Sequence, residues 1–128
     1  MRETALQMKS PFTVAAVAMA LLFLLPAVSR GHSFPDHSDP KVGSAMSGSP
    51  AQVRIWFDGD LEPVFSTIMV HNMEGRMVDK GDGRVDPKDP TLIEVSLPPL
   101  PPGQYLVIWS VVARDGHHTQ GQYMFTVK

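Results

Sequence analysis

Residues 104–113 read QYLVIWSVVA, and the chain goes on through RDGHHTQ at 114–120 to GQYMFTV at 121–127. The first run is apolar at both odd and even positions, which is the pattern of a central strand. The middle run carries Asp115-Gly116, a common hairpin turn pair. The last run is a closing strand. Ahead of this hairpin lies LPPLPPG at 97–103. Its prolines cannot donate ladder hydrogen bonds, so it reads as a stiff crossover between strands.

The same alphabet continues upstream. Residues 52–57 alternate, with Val53, Ile55 and Phe57 on one face and Arg54 and Trp56 on the other. Asp58-Gly59-Asp60 signals a turn. Residues 65–72 form a second strand rich in β-branched side chains, and a short strand is expected near Met77 and Val78. Residues 80–90 read as a Gly/Asp/Pro loop, and 92–97 alternate again. Residues 33–50 read as an extended leader and loop, with a short edge strand near Val42. No stretch has helical periodicity, and there are no internal repeats. About seven short strands in a hundred residues predict an all-β fold, an antiparallel Greek-key β-sandwich or barrel.

The front of the 128-residue chain is different. Arg2 and Lys9 precede a long apolar stretch at 12–28, followed by Ser29-Arg30-Gly31. Charged start, apolar middle and small-residue cleavage site are the layout of a secretory signal. The alternative is an uncut anchor, but the stretch is near the lower length for a span and has Pro11 and Pro26 at its edges. Met8 is an equally good start and gives the same product. Residues 1–31 are therefore read as a signal peptide and 32–128 as one exported domain in the periplasm. That domain holds 8 basic and 12 acidic residues, so nucleic acid is not an expected partner. It has no cysteine, so it has no disulfide and no blue-copper electron-transfer site, which needs a thiolate.

Cleavage after Gly31 makes His32 the first residue. An N-terminal His offers the α-amine and the ring Nδ1 to one metal, and the amine has a pKa low enough to yield its proton near neutral pH. Cu(II) favours such nitrogen-rich tetragonal sites. In the hairpin loop, Asp115 and His117 stand at i and i+2, which point the same way in an extended segment. By itself that triplet is an ordinary loop.

The leader HSFPDHSDPKVGS at 32–44, the strand PAQVRIWF at 50–57, the crossover LPPLPPGQYLVIW at 97–109 and the hairpin VARDGHHTQGQYMFTV at 112–127 together resemble the CopC-type copper-resistance proteins. The resemblance covers 32–128 with its landmarks in order. It implies a cupredoxin-like or immunoglobulin-like sandwich in the periplasm that binds one Cu(II). The implied ligands are His32 through amine and ring, Asp115 through a carboxylate oxygen, and His117 through its ring. It also implies sequestration, transfer or resistance as the role. The implied partners are the copper ion and a membrane copper importer or another periplasmic copper protein. A monomer is expected.

One branch of that family has a Met-rich loop for Cu(I). Here Met69, His71, Met73 and Met77 lie close in sequence, and thioethers suit Cu(I), but the dense cluster is missing and Met69 also fits a core position. His37 and His118 read as solvated, and Trp56 and Trp109 as core. Two other functions stand beside the carrier. One is a copper monooxygenase-like enzyme using an N-terminal His, for which the domain is small. The other is a metal-free β-sandwich adaptor.

Overall fold

The strand at the centre of the sequence pattern is also central to its sheet, hydrogen-bonded on one side to the closing strand. The computed structural model describes residues 33–128. Its strands are β1 (Pro35–Asp39), β2 (Ala45–Met46), β3 (Gln52–Phe57), β4 (Thr67–Asn72), β5 (Arg84–Asp86), β6 (Asp89–Ser96), β7 (Gly103–Val112) and β8 (His118–Val127). A 3-10 turn, Pro63–Phe65, lies between β3 and β4. Residues 1–31, read from the sequence as a signal peptide, and His32 lie outside the described residues.

Two four-stranded sheets face each other, in the orders β1-β3-β6-β5 and β2-β8-β7-β4. Only β5–β6 and β7–β8 are hairpins between consecutive strands; the other connections pass from one sheet to the other. All neighbours are antiparallel except β2 and β8, which pair in parallel. The expected sandwich of about seven strands is thus present with eight, and with one parallel pairing.

Alternation builds the core. Val53, Ile55 and Phe57 of β3 point inward, as do Ile68 and Val70 of β4, Ile93 and Val95 of β6, Val107, Trp109 and Val111 of β7, and Phe125 and Val127 of β8. Each such side chain contributes about 1.5–3 kcal/mol on burial, the main stabilising term in a domain without disulfides. The outward residues of β7, among them Leu106 and Ile108, are only half-buried, because a two-layer sandwich has nothing to stack on that face.

Four elements differ from the sequence expectation. Residues 35–39, read as leader, are a strand. PDHSD offers no apolar alternation, and β1 exists because its backbone pairs with β3. The edge strand expected near Val42 is a turn there, and the pairing occurs at Ala45–Met46. The loop 80–90 contains β5, anchored by buried Val85. The short strand expected near Met77 is reduced to one bridge, His71 with Met77.

One end of the sandwich gathers the start of β1, the end of β3, the start of β4 and the β7–β8 turn. Asp115 and His117 lie there.

Candidate metal centre

The β7–β8 register sets Val112 opposite His118, leaving residues 113–117 to reverse the chain. The Ala113 N–H donates to the His117 carbonyl at 2.9 Å, and the Gly116 N–H donates to the Ala113 carbonyl at 2.9 Å. Gly116 has φ +89°. This is the three-residue hairpin loop in which a type I turn is closed by a left-handed residue. Nothing lies within 4 Å of a Cβ built on Gly116, so its conformation rather than crowding requires glycine.

Within that turn Asp115 folds back on the chain. Its Oδ1 accepts the His117 N–H at 3.0 Å, and its Oδ2 lies 2.7 Å from His117 Nδ1. The pair expected from the sequence is therefore brought together, but by an Asx-type turn and not by an extended segment. The two side chains are 29% and 51% exposed, open to a solute from outside. Two donors at right angles, each about 2.0–2.1 Å from a metal, are about 2.8–3.0 Å apart. The observed separation fits two adjacent positions of a tetragonal ion.

The turn is buttressed on one flank. Leu61 bridges Ala113, the Arg114 N–H donates to the Asp60 carbonyl at 3.1 Å, and the Glu62 N–H donates to the Val112 carbonyl at 2.8 Å. The Arg114 guanidinium lies 3.8 Å from the Asp60 carboxylate, which draws it toward that loop. On the other flank, the Thr119 hydroxyl donates to the Ser33 carbonyl at 2.9 Å. Among the described residues no three His, Cys, Asp or Glu side chains converge as a metal site, so Asp115 and His117 are a pair.

The remaining histidines are elsewhere. His118 Nε2 is 2.6 Å from the Ser110 hydroxyl on the outer face of the sheet. His37 is exposed, as expected, but its ring stacks on Trp56 at 4.4 Å and its Nδ1 meets Asp36 at 2.8 Å. Trp56 is thus a half-buried surface ring, with the Arg54 guanidinium 4.9 Å from its centre, whereas Trp109 is core as read. A groove of about 620 Å³ runs between β1 and β8 over Ile55, Trp109 and Tyr123 and does not include Asp115 or His117.

Residues 36–128 match the CopC domain. The chain belongs to the CopC family. It is 30% identical over 112 residues to the copper transport protein CutJ of Bacillus subtilis strain 168, covering 87% of this chain but only 21% of CutJ. The crystal structure of CopC from Methylosinus trichosporium OB3b superposes with a TM-score of 0.67 at 32% identity, over 76% of this chain and 94% of that one. PcoC, a methionine-rich copper resistance protein from Escherichia coli, superposes with a TM-score of 0.63 at 30% identity, over 76% and 99%.

In this CopC chain Met69, Met73 and Met77 sit on or beside β4, an edge strand of the β2-β8-β7-β4 sheet. Met69 and His71 both point outward from β4, and Met77 stands directly across from His71 in the bridge. Met69, Met73 and Met77 are 37%, 60% and 56% exposed, so the core reading of Met69 does not hold. Asn72 caps the intervening turn, its Oδ1 accepting the Glu74 and Arg76 N–H groups at 3.0 Å each. Met73 lies in that turn, outside the bridge. Spacing alone had grouped all four; the bridge sets His71 across from Met77, and strand alternation puts Met69 on the same face as His71.

Proposed function

We propose that this protein is an exported, periplasmic carrier that binds one Cu(II) and serves copper sequestration, transfer or resistance. The ligands are the amine and ring of His32, a carboxylate oxygen of Asp115 and the ring of His117. The observation that carries this reading is the preformed Asp115–His117 pair, with Oδ2 and Nδ1 2.7 Å apart at an accessible turn. Two donors are too few for a tetragonal site. Ser33, tied to Thr119 two residues beyond His117, is one peptide unit from residue 32, about 3.8 Å between Cα atoms. If the chain is cut after Gly31, that neighbour supplies two nitrogens. The copper transport and copper resistance names of CutJ and PcoC support the cargo.

The set is suited to holding an ion, not to catalysis. Cu(I) disfavours a tetragonal nitrogen and oxygen site, so reduction loosens the ion for transfer. The chain spans about a fifth of CutJ, which supports a larger transport protein, such as a membrane importer, as the source or recipient. Ascorbate-driven oxidation of chitin or cellulose above a free-copper control would overturn the carrier reading in favour of an enzyme.

The deciding experiment compares protein beginning at His32 with protein carrying one extra residue ahead of it, by EPR and by chelator competition. The first binds one Cu(II) with a nitrogen-rich tetragonal spectrum. The second binds more than about 100-fold more weakly, beyond the usual effect of an outer-sphere change. Equal spectra and affinities remove the amine from the site. At a hundredfold excess of Cu(II) over Kd the domain gains about 2.7 kcal/mol, and no rise in Tm would favour a metal-free adaptor.

A second, softer site is favoured by the shared face of Met69, His71 and Met77. Thioethers and one imidazole suit Cu(I). Chelator competition under reducing conditions tests it: one Cu(I) binds, and replacing His71 and Met77 together weakens it about tenfold or more.

A further inference from the structure

The first described residues are pinned from both sheets. Ser33 is a polar residue only 2% exposed. Its carbonyl accepts the Thr119 hydroxyl at 2.9 Å, from the second residue of β8. The next residue is tied to the other sheet: the Phe34 N–H donates to Asp58 Oδ1 at 2.7 Å, and the Asp58 N–H donates to the Phe34 carbonyl at 2.9 Å. Gly59 lets the two segments approach, since a Cβ there would meet Ser33 Oγ at 2.8 Å. The ends of a domain are ordinarily loose unless something ties them down. Here Asp58 and Thr119, 24 and 86 positions away along the chain, do so at the two residues that follow His32.

We infer that Thr119 and Asp58 are positioning residues for copper. They hold Ser33 and Phe34 so that the residue before them meets Asp115 and His117 with its freedom already spent. This rests on the Cu(II) site proposed above and adds to it two residues that touch no metal. The physical reason is preorganisation: a ligand on a free chain end loses conformational entropy when it binds, and a clamped one loses less. Thr119 is suited to the task because it stands two residues beyond His117, as the second residue of β8, so clamp and ligand belong to the same hairpin.

The test uses Cu(II) itself, with Kd from chelator competition, EPR of the bound ion and Tm of the apoprotein. Thr119→Val keeps shape and strand preference while removing the donor. In protein beginning at His32 it weakens Cu(II) roughly five- to tenfold, the worth of one ordinary hydrogen bond, and broadens the EPR signal. Thr119→Ser restores both. Asp58→Ala weakens binding to a similar extent. In protein extended by one residue ahead of His32, Thr119→Val adds nothing to the loss already caused by the extension. Unchanged affinity in the unextended Thr119→Val protein overturns the inference alone. The same drop in extended and unextended proteins also overturns it, because Thr119 would then act on the whole fold. An extension without effect overturns the Cu(II) site and the clamp together.

Discussion

At the hairpin end, Asp115 and His117 are fixed by a turn whose backbone and side chains are hydrogen-bonded to one another, with loop 58–66 and Ser33 packed on its flanks. On the edge strand β4 of the same sheet, Met69, His71 and Met77 stand on an open face, held by the β4 ladder, the His71–Met77 bridge and the Asn72-capped turn. The difference follows the chemistry of the donors. Carboxylate and imidazole suit Cu(II), an ion with a strong geometric demand, and a rigid turn meets that demand in advance. Thioethers on three rotatable bonds arrange themselves around a softer ion, and a flat strand edge is enough to present them. In the two sites proposed above, the hairpin would bind through precision and the β4 face through adaptability.

Substitutions at the two ends should therefore separate. The largest effect is expected for His117→Ala, which weakens Cu(II) by more than about 100-fold while leaving Cu(I) affinity within about twofold. Parallel chelator competitions check both numbers, and a comparable loss of Cu(I) would mean that the ends are not independent. The converse pair, His71→Ala with Met77→Leu, weakens Cu(I) about tenfold and leaves Cu(II) unchanged, with the EPR spectrum as the check. Next comes Gly116→Ala. Forcing an L side chain into the left-handed position costs about 1–2 kcal/mol in urea unfolding, and Cu(II) binding weakens several-fold because the turn that presents Asp115 is strained.

The smallest effect belongs to a control lying on neither side of the comparison. Tyr123 donates to the Pro40 carbonyl at 2.9 Å, and its pKa is pushed up to about 12, first by burial and then by the nearby Asp39 carboxylate. A raised pKa means the folded protein prefers the neutral phenol. That contribution to stability is fully present below pH 10 and is lost as pH rises from 10 through about 12. Tyr123→Phe should flatten the fall in Tm over that window without moving the affinity for either copper ion. An unchanged alkaline slope would assign the fall to other groups.

How much of this was legible along the chain depended on how far apart the partners are. Asp115 and His117 were legible as a pair because they stand two positions apart, with only Gly116 between them, although the turn that joins them is not the extended segment their spacing suggested. Met69, His71, Met73 and Met77 were legible as a neighbourhood, but only the folded bridge sets Met77 directly across from His71, with Met73 in the turn between them. Ser33, Asp58 and Thr119 gave no signal. They are polar residues of ordinary kinds, and their tie exists only once both sheets are assembled.

The sequence by itself determined the sandwich and the chemical kinds of side chain at the two candidate sites. Alternating burial, proline punctuation and residue type are local properties that survive in an unfolded chain. The tertiary structure alone decided that PDHSD at 35–39 is a strand, that Trp56 is a surface ring, and that the chain just after His32 is tied beside the 113–117 turn. Those outcomes depend on backbone hydrogen bonds and close approaches between segments far apart in sequence, and such bonds have no signature until their partners meet.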